Sequence, residues 1–144
     1  MTLWFEDLAE CSYFGAPATQ FLRAVGWLER GKPFTAGAVP RAVFDKLVEL
    51  RKDPWQPMAA AGVHSCDLCL YDAEAHGSRT LFIPGQELIY VCPELIVHYM
   101  NAHGYAPPEE FCRAVIACTP MRSVEYRKAV LASGGRTLVQ PLEV

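Results

Sequence analysis

Thr80-Leu-Phe-Ile-Pro-Gly-Gln-Glu-Leu-Ile-Tyr-Val91 is the stretch that decides the fold. Residues 80–83 and 87–91 are short runs rich in β-branched and aromatic side chains, and Pro84-Gly85-Gln86 between them supplies turn chemistry. This predicts an antiparallel hairpin. A helix is expected almost at once, with Pro93 at its first position, Glu94 complementing the dipole and Gly104 as the stop. Leu95, Ile96, Tyr99 and Met100 supply its apolar side. Just upstream lies Cys66-Asp-Leu-Cys69, and the helix itself carries His98-Tyr-Met-Asn-Ala-His103.

Further elements are read outward from this centre. Pro40 opens an amphipathic helix over 40–52, in which Val43, Phe44, Leu47, Val48 and Leu50 share one face. Asp53-Pro54 ends it, and Trp55 reads as a packed loop residue. Pro107-Pro108-Glu109-Glu110 starts another helix that buries Phe111, Cys112, Val115 and Ile116, with Cys118 near its end. Thr119-Pro120 is expected to cap a further helix that stops at Gly134-Gly135. Residues 137–144 are expected to lie extended or to add an edge strand, and the first thirty residues fit either strand or helix. The expectation is an α+β fold: a single domain over 1–144, with one antiparallel hairpin or a small sheet and about four helices around a zinc-finger-like centre.

Bulk properties narrow the functional classes. In 144 residues, 51% are hydrophobic and 20% charged, which is the composition of a globular domain large enough to bury a core without disulfides. The formal charge is −3 and there is no basic block, so nucleic acid is a disfavoured partner. The acidic start, Met1-Thr-Leu-Trp-Phe-Glu-Asp-Leu-Ala-Glu10, does not resemble a targeting signal, and no apolar run is long enough for a membrane span. A reducing, cytoplasmic setting is expected. In it, six cysteines argue for thiols, metal ligands or redox chemistry before disulfides.

Cys66 and Cys69 have the spacing that lets two thiolates reach one tetrahedral ion, and 28 residues separate Cys69 from His98. A knuckle, a hairpin and then a histidine-bearing helix is the order of the zinc-finger and treble-clef group, so the expected ligands are Cys66, Cys69, His98 and His103, with zinc as the ion. One difficulty is geometric. On a regular helix His98 and His103 project roughly 140° apart, which requires the helix end to depart from regularity. Cys92, His64, Cys112 and Cys118 therefore stand as alternative fourth ligands, whereas Cys11, Cys112 and Cys118 otherwise read as ordinary core or surface residues. On that reading Cys66→Ser lowers thermal stability and Cys11→Ser does not.

Four protein ligands imply a closed structural site, and three with a water imply a catalytic one. The helix reads Glu94-Leu-Ile-Val-His98 and lacks the metalloprotease pattern, leaving Glu94 as a solvated helix-start acid or a partner of His98. Asp67 beside Cys66 argues against an activated redox thiol. His64-Ser65-Cys66 is adjacent in sequence only, and no nucleophile elbow or phosphate-cradling loop occurs.

Gly26-Trp27-Leu28, His64-x-Cys66-x-x-Cys69, Pro93-Glu-Leu-Ile-x-His98-Tyr99 and His103-x-Tyr105-x-Pro107-Pro108-Glu109-x-Phe111 together resemble an uncharacterised family of small bacterial proteins, over most of the chain. The resemblance implies a shared site around the knuckle and the His98 helix; the zinc-site subregion itself is expected over 64–104. The expected function is a binding or regulatory module with a structural zinc, acting on a protein or small-molecule partner. The rivals are a metal- or thiol-dependent enzyme with an open pocket at the knuckle and, third, thiol–disulfide exchange. Loss of the metal is expected to loosen the hairpin and the His98 helix before the rest.

Overall fold

Hydrogen bonding between distant strands organises the molecule. The computed structural model describes residues 4–11, 21–57, 64–69 and 76–139. Three strands form the main sheet: β1 (Leu22–Ala24), β4 (Thr80–Pro84) and β5 (Ile89–Pro93), in the order β1-β5-β4. Strand β5 is central, antiparallel to β4 and parallel to β1, with Leu22 opposite Ile89 and Ala24 opposite Val91. A second, two-stranded ribbon pairs β2 (His64–Ser65) with β3 (His76–Gly77). Helices α3 (Glu109–Ala117) and α4 (Val124–Ala132) pack on β4, α1 (Arg41–Leu50) packs on α2 (Ile96–His103) and α3, and the single turn α5 (Arg136–Val139) follows α4. The fold class is α+β, as expected, with four helices of eight residues or more and a small mixed sheet among the described residues.

All of β5 and the first four residues of β4 are buried, so both strands have both faces covered and read as continuous apolar runs instead of alternating ones. Leu22, Leu81, Phe82, Ile83, Val91 and Ile96 are fully enclosed at the middle of one core. Trp55 is a packed loop residue: its ring meets Phe82 and Tyr126 edge-on, each with centroids 5.8 Å away. Tyr126 also donates its hydroxyl to the Phe82 carbonyl at 2.5 Å and so ties α4 to β4.

Several boundaries differ from the sequence reading for identifiable reasons. The hairpin lies two residues later on its second strand, because Gly85 N–H bonds the Leu88 carbonyl and Glu87 takes a left-handed conformation (φ 65°); both are spent on a four-residue loop. Pro93 accordingly ends β5, where a missing N–H is tolerated, and does not begin α2. Pro40 caps α1 in an extended conformation, and the helix ends at Leu50. Ser123, not Thr119-Pro120, caps α4: its hydroxyl accepts the Tyr126 N–H at 3.1 Å. Ile116 is 49% exposed, contrary to its expected burial. Residues 136–139 are helical, not extended, and 140–144 lie outside the described residues.

Cys11 is fully buried and belongs to the core, as one of the two ordinary placements expected for it. No helix among the described residues is long and apolar enough to cross a membrane.

Candidate metal centre

The small β2–β3 ribbon presents the knuckle. Ser65 leaves β2 directly into Cys66-Asp-Leu-Cys69, which turns back on itself. The backbone amides of Leu68 and Cys69 bond toward the Cys66 sulfur and favour its thiolate form. An external clamp fixes the turn: Arg30 donates its backbone N–H to Asp67 Oδ2 at 2.9 Å and its guanidinium to the Cys69 carbonyl at 3.0 Å. Asp67 is thereby committed to Arg30. The Cys66 thiol is nonetheless pushed above its ordinary value, first by burial and next by Cys69, so the sequence argument that assigned this effect to Asp67 had the wrong cause.

Helix α2 supplies the other half. Its C-terminus settles the angular conflict between the two histidines. Gly104 N–H bonds the Tyr99 carbonyl five residues back, a capping turn at the helix end, and Tyr105 N–H bonds the same carbonyl at 3.2 Å. The two imidazoles converge beside this helix end, with ring centroids 5.0 Å apart. Gly104 makes the exit possible with φ 68°, a left-handed conformation that a Cβ disfavours.

The four side chains meet. One ligand atom each from Cys66, Cys69, His98 and His103 lie within 4.8 Å of one another. His103 Nε2 is 3.4 Å from Cys66 Sγ and 3.6 Å from Cys69 Sγ, and His98 Nε2 is 3.3 Å from Cys69 Sγ. A tetrahedral ion with bonds of about 2.3 Å to sulfur and about 2.0–2.1 Å to nitrogen separates S and N by about 3.5 Å. The three distances bracket that edge. A hydrogen-bonded cluster explains them less well, because a neutral ring nitrogen carries one proton at most, and His103 Nε2 faces two sulfurs at nearly equal range.

Electrostatics favour the ligating form of His98. Burial, and then the neighbouring His103, lower its pKa and keep the imidazole neutral. Burial also raises the Tyr99 phenol, with Cys66, Asp67 and Cys69 adding to the effect, so Tyr99 packs beside the cluster as a neutral group. Only Cys66 of the four is buried; the others are half-exposed.

The alternative ligands lie elsewhere. Cys92 is wholly enclosed in β5, Cys112 faces the Pro107 carbonyl at 3.8 Å, and Cys118 faces the Thr119 carbonyl at 3.4 Å. The His64 side chain lies outside the described residues, as does most of the inserted loop after Cys69. Glu94 neither lies free in solvent nor serves His98. Its Oε2 accepts the backbone N–H groups of Ser78 and Arg79 at 3.1 and 2.7 Å and pairs with the Arg79 guanidinium at 3.4 Å, fastening the start of α2 to the chain leaving β3. Arg30 and Glu94 are thus the supporting residues that the sequence reading missed. Their partners are 37 and 15 to 16 positions away, beyond any local spacing pattern.

Comparison with known proteins adds one match. Residues 3–116 match a family described as a domain of unknown function (DUF7919), which spans both cysteines, both histidines and their supports. No curated protein and no solved structure matches the chain. The chain belongs to the DUF7919 family.

Proposed function

We propose that Cys66, Cys69, His98 and His103 hold one structural zinc ion, in a treble-clef-like arrangement of knuckle and helix end, and that the protein is a small bacterial, cytoplasmic binding or regulatory module. The observation that carries the metal reading is the placement of His103 Nε2 at 3.4 and 3.6 Å from the two sulfurs, with His98 Nε2 at 3.3 Å from Cys69. Two thiolates and two imidazoles form a donor set suited to zinc, and four protein donors close a tetrahedron with no position left for substrate. Zinc would supply charge that lets two adjacent sulfurs ionise together, which burial otherwise opposes at Cys66. Its structural effect would be to join the β2–β3 ribbon to the end of α2, two parts that the main sheet does not connect.

Elemental analysis of protein purified under reducing conditions without added metal tests this reading. About one zinc per chain is expected, with the content falling well below half in Cys66→Ser and His98→Ala and unchanged in Cys112→Ser, whose sulfur faces Pro107. Wild-type protein without stoichiometric metal, or equal retention by all three variants, would overturn it.

A further inference from the structure

Away from the cysteine and histidine cluster, a groove of about 590 Å³ opens between the N-terminal segment and the loop that follows Trp27. Trp4, Phe5, Leu28 and Phe34 wall it, and Glu6, Asp7 and Lys32 bring charge to it. Its size falls within the range of about 300–1,000 Å³ typical of small-molecule sites, and an apolar wall with a few fixed polar groups is their usual make-up.

Two independent features say what chemistry the groove accepts. The first is Asp7. Its Oδ1 accepts the Gly26 N–H at 3.1 Å and its Oδ2 accepts the Tyr105 hydroxyl at 2.7 Å, so the carboxylate is fixed in place with acceptor capacity to spare on both oxygens. Among the described residues no lysine, arginine or histidine forms an ion pair with it. A half-buried carboxylate held without a countercharge is costly, and a cation would offset that cost. The second is Lys32, whose ammonium stands 5.2 Å from the centroid of the Trp4 ring, within cation–π range. The indole face therefore already receives an alkylammonium. That group is borne on an exposed, flexible side chain that can swing away.

We propose that this groove binds a small organic cation of the alkylammonium class, seated on the Trp4 face with Asp7 as its countercharge and displacing the Lys32 ammonium from the ring. Anions are disfavoured by Glu6 and Asp7 together. A neutral apolar ligand would leave Asp7 uncompensated. The groove lies on residues that the metal reading does not use, so it stands or falls separately.

Choline and its neutral isostere 3,3-dimethyl-1-butanol, titrated into the full chain as purified, separate charge from shape. Protein-observed NMR would follow the Trp4 indole signal. The expectation is saturable binding of choline, with the neutral isostere at least tenfold weaker. Asp7→Asn should weaken choline by about tenfold. Lys32→Ala should strengthen it several-fold by removing the competing ammonium, an effect that damage to folding cannot mimic. Equal binding of the two probes, absence of saturation at millimolar choline, or weaker choline binding by Lys32→Ala would each overturn the proposal. A lysine-containing tripeptide that binds more tightly than choline would overturn the small-molecule assignment.

Discussion

Asp7 shows how one side chain can oppose the stability of the fold that holds it. Burial, the largest influence, raises its pKa above the ordinary 3.8 despite the bonds from Tyr105 and Gly26. An acid whose native pKa is raised binds its proton more tightly when folded, so its contribution is fully present below the unfolded value and is lost as pH rises through the native one. Wild-type protein should therefore gain stability relative to Asp7→Asn as pH falls from 7 towards 4, measured by urea unfolding at several pH values. A pH-independent difference between the two would contradict this account. The residue scale is also where the sequence was most legible for the metal ligands and least legible for their supports. Cys66 with Cys69, and His98 with His103, announce themselves because donor geometry constrains local spacing. Asp7 and Tyr105 are 98 positions apart, and no pattern in either segment points to the other.

At the scale of elements, the sequence predicted α1, the hairpin, α2 and α3 because each has a period or a punctuation mark of its own. It erred where a tertiary demand chose between local options. The β4–β5 register goes with Glu87 adopting φ 65° in the loop, which its side chain does not advertise, and α4 begins at Val124 behind its Ser123 cap, where Tyr126 reaches the Phe82 carbonyl. The end of α2 is the element on which the metal reading depends most. Nothing lies within 4 Å of a Cβ added at Gly104, so Gly104→Ala meets only the backbone cost of the left-handed conformation, about 1–2 kcal/mol. If that exit also aims His103, the loss should be larger with zinc bound than with a chelator present, as read by paired denaturant titrations. Equal losses would mean that His103 reaches the sulfurs without the left-handed exit at Gly104. Gly135 fails by a different mechanism, since its added Cβ would sit 2.5 Å from Val130 Cγ1 and 2.8 Å from the Val130 carbonyl, a steric clash indifferent to metal.

For the whole molecule, the layout changes what metal loss should do. The sequence expectation placed the β4–β5 hairpin among the parts that loosen first, yet both of its strands are buried at the centre of the core. The knuckle instead rides on the separate β2–β3 ribbon. On the proposed zinc reading, hydrogen exchange after removal of the metal should thus show lost protection at 64–69 and at the end of α2, with β4 and β5 still protected. Simultaneous loss in both regions would make the ion part of the global fold. The overall class was legible because apolar periodicity reports burial. The topology was not, since nothing in residues 22–24 specifies a partner strand found after residue 88.

That long-range parallel pairing also bears on how the chain is made. Strand β1 leaves the ribosome early and must wait for β5 before the central pair can close. At about 5–20 residues per second the delay is several seconds. His98 follows only five positions after the last residue of β5, and His103 comes soon after. Sheet closure and the arrival of the two histidines therefore fall within about a second of each other, so a nascent chain that has just completed its sheet is also the first one in which all four clustered side chains exist.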